Sequence, residues 1–114
     1  MPATLEGKVA LVTGVSHDGQ VGQAVARKLA ENRTALAICA RTQTNVEARA
    51  QELRQAGARV LALATTLTDE SQVHQLIERA LNEYRRIDIL VNLAEASPAT
   101  SPQSNTAWTI GTTN

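Results

Sequence analysis

The chain is 114 residues long, 43% apolar and formally neutral, with 11 basic and 11 acidic residues. That length allows one domain with a modest core. The even charge, with no long block of either sign, argues against a nucleic-acid or anionic-membrane surface. Cys39 is the single cysteine, which excludes a disulfide framework and a cysteine-based metal site. It sits in an apolar run, as a buried and inert thiol would.

The apolar residues are nearly all aliphatic: there is no Phe, and Tyr84 and Trp108 stand alone in their types. Such a composition suits parallel strands covered by helices. The opening Met-Pro-Ala-Thr-Leu-Glu-Gly-Lys lacks a basic segment followed by an apolar stretch, so no signal peptide is expected. No apolar run reaches membrane-spanning length. The expectation is a soluble cytoplasmic protein.

Val9 to Val12 reads as a first strand, followed by Thr13-Gly14 and a glycine-punctuated loop that runs to Gly22. Val21, Val25 and Leu29 recur every four residues, with Ala24 beside them, and predict a helix face. Strand, glycine loop and helix in that order offer free backbone N–H groups and a positive helix end to a phosphate. Ala35 to Cys39 is a second strand, ending at Arg41. Val46, Ala50 and Leu53 form the next helical stripe, opened by Thr42 or Thr44 and closed by Gly57.

Val60 to Leu63 is the third strand. Thr68-Asp69-Glu70 reads as a helix start, with a capping hydroxyl and acids in the first turn. Val73, Leu76, Ile77, Ala80, Leu81 and Tyr84 then make an amphipathic face, which places Tyr84 in the core and His74 on the surface. Ile87 to Val91 is the fourth strand.

This β-α-β-α-β-α-β pattern predicts an α/β fold, a Rossmann-like doubly wound parallel sheet of four strands, and by analogy with doubly wound folds the strand order would be 3-2-1-4. The ligand crevice of such a sheet lies where the strand order reverses. It would be built from Gly14–Gly22, Arg41, Thr65–Leu67 and Asn92–Glu95. Beyond residue 94 the sequence turns small and polar, with Trp108 and Ile110 the only bulky apolar residues. The division expected is a nucleotide-binding unit over 1–94 and a loosely ordered polar tail over 95–114.

Three segments resemble the N-terminal half of the short-chain dehydrogenase/reductase family. Leu5-Glu6-Gly7-Lys8-Val9-Ala10-Leu11-Val12-Thr13-Gly14 is similar to its opening strand, and Val21-Gly22-Gln23-Ala24-Val25-Ala26 to its helix start. Ile87-Asp88-Ile89-Leu90-Val91-Asn92-Leu93-Ala94 resembles its strand ending in Asn-Asn-Ala-Gly. The usual loop is Thr-Gly-x-x-x-Gly-x-Gly, whereas here Gly19 and Gly22 fall five and eight residues after Gly14. The lengthened turn reads as a longer phosphate cradle or as a surface turn with Asp18-Gly19 at its tip. Gly14-x4-Gly19 also has P-loop spacing. Gln20-Val21 replace the required Lys and Ser/Thr, which excludes an NTPase.

The resemblance implies a nicotinamide dinucleotide site made by Gly14, Ser16, His17, Gly19, Val21, Gly22, Arg41, Thr66, Leu67, Asn92 and Ala94. NAD sites place an acid at the end of the second strand, but none lies between Ala35 and Gln43; Arg41 instead suits the 2′-phosphate of NADP(H). Thr66 stands where the family usually has an Asp that holds the adenine amino group, so weaker adenine binding is expected. Asp69 belongs to the helix start. Leu93 and Glu95 replace the second Asn and the Gly, which sets a carboxylate beside the nicotinamide ribose. Asp88 reads as an anchor of local backbone.

No catalytic residue and no metal ligand is assigned. The family uses a Ser, a Tyr and a Lys four residues after the Tyr to move protons. Here Tyr84 is followed at that spacing by Asp88, and the lysines are Lys8 and Lys28. Trp108 to Asn114 is faintly similar to a Trp-x6-Asn segment, one residue short. The expected function is the cofactor-binding part of an oxidoreductase that passes hydride between NADP(H) and a carbonyl or alcohol, inactive alone. A stand-alone nucleotide-sensing or partner-docking module is the alternative, and a degenerate domain using only its fold is a third. An exposed fourth strand carrying Ile89, Leu90 and Val91 would favour self-association.

Overall fold

The structure, a computed structural model, describes residues 5–17 and 19–93. Its elements run β1 (Val9–Thr13), α1 (Val21–Glu31), β2 (Ala35–Ala40), α2 (Gln43–Gln55), β3 (Val60–Ala64), α3 (Glu70–Tyr84) and β4 (Ile89–Asn92). All pairings are parallel and the sheet order is β3-β2-β1-β4. The order reverses between β1 and β4, as the analogy with doubly wound folds predicted. The expected boundary at residue 94, the tail, Ala94, Glu95, Trp108 and Asn114 lie outside the described residues, as does Asp18.

β1 and β2 are the central strands, buried on both faces, which is why they read as unbroken apolar runs. Alternation along them divides the core in two. Ala10, Val12, Leu36, Ile38 and Ala40 meet Ala26 of α1 and Val46, Ala50 and Leu53 of α2. On the opposite face Leu11, Ala37 and Cys39 meet Leu76 and Ala80 of α3. The stripe expected for α2 is therefore its buried face, and Gly57 follows the helix with φ +98°.

Four local expectations are corrected. α1 buries Gly22, Gln23 and Ala26, while Val21 is 64% exposed and Ala24 is exposed. The helix is thus rotated from the Val21-Val25-Leu29 stripe, because a glycine rather than a valine faces the strand. Leu81 of α3 is 41% exposed, since the turn of the helix carries it to the margin of the sheet-facing side that Ala80 and Tyr84 hold. The cap of α3 is the Asp69 carboxylate, which accepts from the Ser71 and Gln72 N–H groups, rather than the Thr68 hydroxyl. Those bonds, led by the Ser71 side chain, hold Asp69 below the usual carboxylate range. β4 begins at Ile89, two residues late, because the Asp88 carboxylate is already engaged.

Asp88 anchors the backbone as expected. Its Oδ2 accepts the Val9 N–H at 2.9 Å, and its Oδ1 accepts from Arg86 Nη2 at 2.9 Å. The Arg86 hydrogen bond foremost, then that of Val9, keeps the carboxyl below its ordinary 3.8. A lowered folded-state pKa adds stability above the unfolded value and loses it as pH falls through the lowered one. Asp88→Asn should therefore be destabilised by about 1 kcal/mol at neutral pH, with the deficit closing in acid below the ordinary carboxylate range. Urea titrations of both proteins at pH 7 and pH 3 measure this; an equal deficit at both would refute it.

Candidate nucleotide site

At the C-terminal ends of the strands, β1 leaves the sheet through Gly14, whose φ of +80° is open to glycine at little cost. The Gly14 and Val15 N–H groups both donate to the Cys39 carbonyl at 3.0 Å, so they tie the loop to β2 and are spent. Val15 is fully buried, Ser16 half-buried and His17 exposed. Gly19 also has positive φ, at +82°, with open space where a Cβ would stand. The loop then returns so closely that a Cβ on Gly22 would lie 2.5 Å from the Gly14 carbonyl oxygen.

The N-terminus of α1 has no side-chain cap on Gln20 and no acid in its first turn. α3, by contrast, is capped by Asp69 and opens with Glu70. The first N–H groups of α1 and its positive dipole end are thus left to an anion. The loop fits a dinucleotide on this ground: an uncapped helix end follows a glycine loop packed backbone to backbone on β1.

Arg41 follows β2 directly, is exposed, and makes no ion pair among the described residues. The Thr65 N–H donates to the Ala40 carbonyl at 2.8 Å, which sets the end of β3 beside Arg41. Gln72 Oε1 accepts the Thr66 N–H at 2.7 Å, and Gln43 Oε1 accepts the Ala64 N–H at 3.3 Å. Leu67 packs its side chain into the α3-face cluster. The structure thus brings Gly14, Ser16, His17, Gly19, Val21, Gly22, Arg41, Thr66, Leu67 and Asn92 to one end of the sheet.

The Asn92 side chain is engaged inside the protein. Thr13 Oγ1 donates to Asn92 Oδ1 at 2.7 Å and accepts the Leu93 N–H at 2.9 Å. The Thr13 hydroxyl thereby locks the ends of β1 and β4 where the strand order reverses. Sequence reasoning passed over this role, as it did Gln43 and Gln72. A Thr directly before the loop glycine was the only local signal, and its partner is 79 positions away.

No base or nucleophile emerges among the described residues. Burial pushes the Cys39 thiol up to about 11, against a smaller opposing effect of the Gly14 N–H. Such a thiol stays protonated and inert. Tyr84 is only half-buried, and its hydroxyl donates to the Leu36 carbonyl at 2.9 Å at the opposite end of the strands. Burial raises its pKa, with Arg59 opposing from a cation–π position 5.1 Å above the ring. A broad depression of about 550 Å³ lies at that same end, lined by Gly7, Arg33, Gly57, Arg59 and Tyr84 among others. It is the wrong end for a doubly wound sheet, whose ligands sit beyond the carboxyl ends of the strands. No group of His, Cys, Asp and Glu able to hold a metal occurs among the described residues, and no described helix is long and apolar enough to cross a membrane.

Comparison with known proteins agrees with this geometry. The family model described as short chain dehydrogenase matches residues 8–109. Tropinone reductase-like 3 of Erythroxylum coca is 34% identical over 95 residues, covering 83% of this chain and 36% of the relative. A metagenomic short-chain oxidoreductase in complex with NADP superposes with a TM-score of 0.74 at 32% identity, over 81% of this chain and 41% of its own. A short chain dehydrogenase from Mycobacterium smegmatis gives a TM-score of 0.76 at 29% identity, over 82% of this chain and 39% of its own. The chain thus spans roughly two fifths of the length of these three relatives, and the part it spans holds the glycine loop, the parallel sheet and the strand-order reversal. By sequence and by fold, the chain belongs to the short-chain dehydrogenase family.

Proposed function

We propose that this chain forms the NADP(H)-binding half of an oxidoreductase acting between a carbonyl and an alcohol. The observation that carries the reading is the uncapped N-terminus of α1, set behind a glycine loop, with Arg41, a cation without an ion pair among the described residues, at the end of the adjacent strand. When bound, the cofactor would supply or accept the hydride. The loop from Gly14 to Gly22, with Ser16, His17 and Val21, holds the pyrophosphate against the helix end. Arg41 pairs with the 2′-phosphate, where a planar cation can bond two oxygens at once. Thr66 and Leu67 border the base, and Asn92 borders the nicotinamide end. The reading places the protein in the cytoplasm.

Hydride transfer also needs a proton donor, and the described residues bring none to the crevice: Tyr84 is at the far end of the sheet and Asp88 follows it where a Lys would be needed. The chain alone is therefore expected to bind cofactor without turning over alcohols. Calorimetric titration should show saturable binding that favours NADPH over NADH, and Arg41→Ala should erase the preference by weakening NADPH about tenfold. A folded chain that binds neither nucleotide, or oxidises alcohols by itself, would refute the reading.

One observation favours a second property. Among the described residues β4 pairs only with β1, and Leu90 on it is 44% exposed. An open edge with an apolar side chain is a template for another strand, so the isolated chain is expected to self-associate through β4. Sedimentation showing a monomer throughout at high concentration would remove this reading.

A further inference from the structure

We infer that Gln23 and Glu52 are positioning residues for the nucleotide site: their side-chain bond holds the uncapped first turn of α1 in place while leaving its N–H groups free. The inference rests on the dinucleotide reading above and adds to it what keeps that helix end in shape. A helix start is ordinarily held by a capping side chain, which bonds the first N–H groups and so withdraws them from any ligand. α1 has no such cap, since the Gln20 side chain makes no capping bond. Its first turn, Val21 to Gln23, must be held in another way, because an unsupported end turn frays.

Gln23 supplies the support. It is 2% exposed, and its Nε2 donates to Glu52 Oε1 at 2.8 Å, which joins the first turn of α1 to the third turn of α2. Glu52 is itself fixed: Arg49 Nε donates to Oε1 at 3.1 Å and Arg49 Nη2 to Oε2 at 2.6 Å. α2 is a firm post, because its Val46, Ala50 and Leu53 are buried in the core. Gly22 and Gln23 thus fix one turn from two sides, the glycine against Gly14 and the glutamine against α2.

Burial alone does not account for a glutamine here. Its Oε1 is buried without a partner among the described residues, a cost that an apolar side chain of the same shape would avoid. What the amide provides is direction: an N–H aimed at a carboxylate sets how the helix is turned, and an apolar contact does not. The N–H groups of residues 21–23 then stay aligned before any nucleotide arrives, so binding need not order them. The Ala24 N–H donates to the Gln20 carbonyl at 3.1 Å, closing this turn, and reports on it directly.

The experiment titrates the full chain calorimetrically with NADPH, and follows Ala24 amide exchange by NMR without nucleotide, for the wild type, Gln23→Met and Glu52→Gln. Gln23→Met keeps the shape and loses the bond. Glu52→Gln keeps an amide partner for Gln23 and loses the charged pair with Arg49. Gln23→Met should bind NADPH about tenfold more weakly, and its Ala24 amide should exchange about tenfold faster. Glu52→Gln should bind within about threefold of the wild type even though its urea midpoint falls, so affinity follows the bond and not stability. Should Gln23→Met not fold, Glu52→Ala removes the same bond from its half-exposed end and takes its place. A folded Gln23→Met with wild-type NADPH affinity would overturn the inference and leave the dinucleotide reading intact, as would a Glu52→Gln protein that loses as much affinity as Gln23→Met. A folded wild type that binds no NADPH would overturn both.

Discussion

Gly22→Ala should lower stability by about 1–3 kcal/mol and abolish nucleotide binding, although alanine is the better helix former. Propensity alone favours the substitution by about 1 kcal/mol in a helix interior. Sterics oppose it: the new Cβ would stand 2.5 Å from the Gly14 carbonyl oxygen and 3.1 Å from Gly14 C and Val15 Cα. All three are backbone atoms, so no side chain can swing aside, and α1 must move off β1. That displacement carries the helix N–H groups away from the loop, which is why binding falls further than stability. Gly22→Val should be worse on both counts.

Gly19→Ala separates the two causes. Its φ of +82° strains an L-residue by about 1–2 kcal/mol, yet nothing lies within 4 Å of its Cβ position. It should cost stability without moving α1. Urea unfolding paired with NADPH titration measures both quantities. A Gly22→Ala protein as stable as the wild type would show that the helix and strand do not touch here.

Leu76→Ala should cost about 2–5 kcal/mol, a large share of what a domain of this size has. Leu76 is 1% exposed and, with Ala80, is the fully buried part of α3 in the cluster on that face. Among the described residues that cluster has five buried members, Leu11, Ala37, Cys39, Leu76 and Ala80, against ten on the opposite face. With so few neighbours, loss of the Leu76 side chain should loosen α3 before the sheet. Hydrogen exchange should then show α3 amides opening well below the free energy at which β1 and β2 open. Leu81→Ala on the same helix, at a site 41% exposed, should change stability by no more than about 0.5 kcal/mol. Equal effects of the two substitutions would refute this account of how α3 is held.

The sequence made the architecture legible because its signals were local. Alternation of short apolar runs with helical stripes, punctuated by Gly14 and Gly57, was enough to place the seven elements, and analogy with doubly wound folds supplied the 3-2-1-4 order now seen. The Val46, Ala50 and Leu53 stripe of α2 needed no tertiary knowledge. Asp88 and Cys39 were also legible, one as a charged residue at a strand start, the other as a thiol inside an apolar run.

The same reasoning failed where the answer depended on how an element is rotated or on a distant partner. Val21 reads as core by spacing, yet it points outward because α1 turns its glycine toward Gly14 to approach the strand. Leu81 completes a periodic stripe but lies at its margin, turned off the sheet-facing side that Ala80 holds.

By itself, then, the sequence determined the alternating elements, the glycine loop and the cation at the end of the second strand, since each is written within a few residues. Only the tertiary structure decided that Gly22 closes on Gly14, that Thr13 bonds Asn92 across the strand-order reversal, and that Gln43 and Gln72 occupy the backbone of the third strand's end. These contacts join residues brought together by parallel pairing and crossover helices, and parallel neighbours are always far apart along the chain.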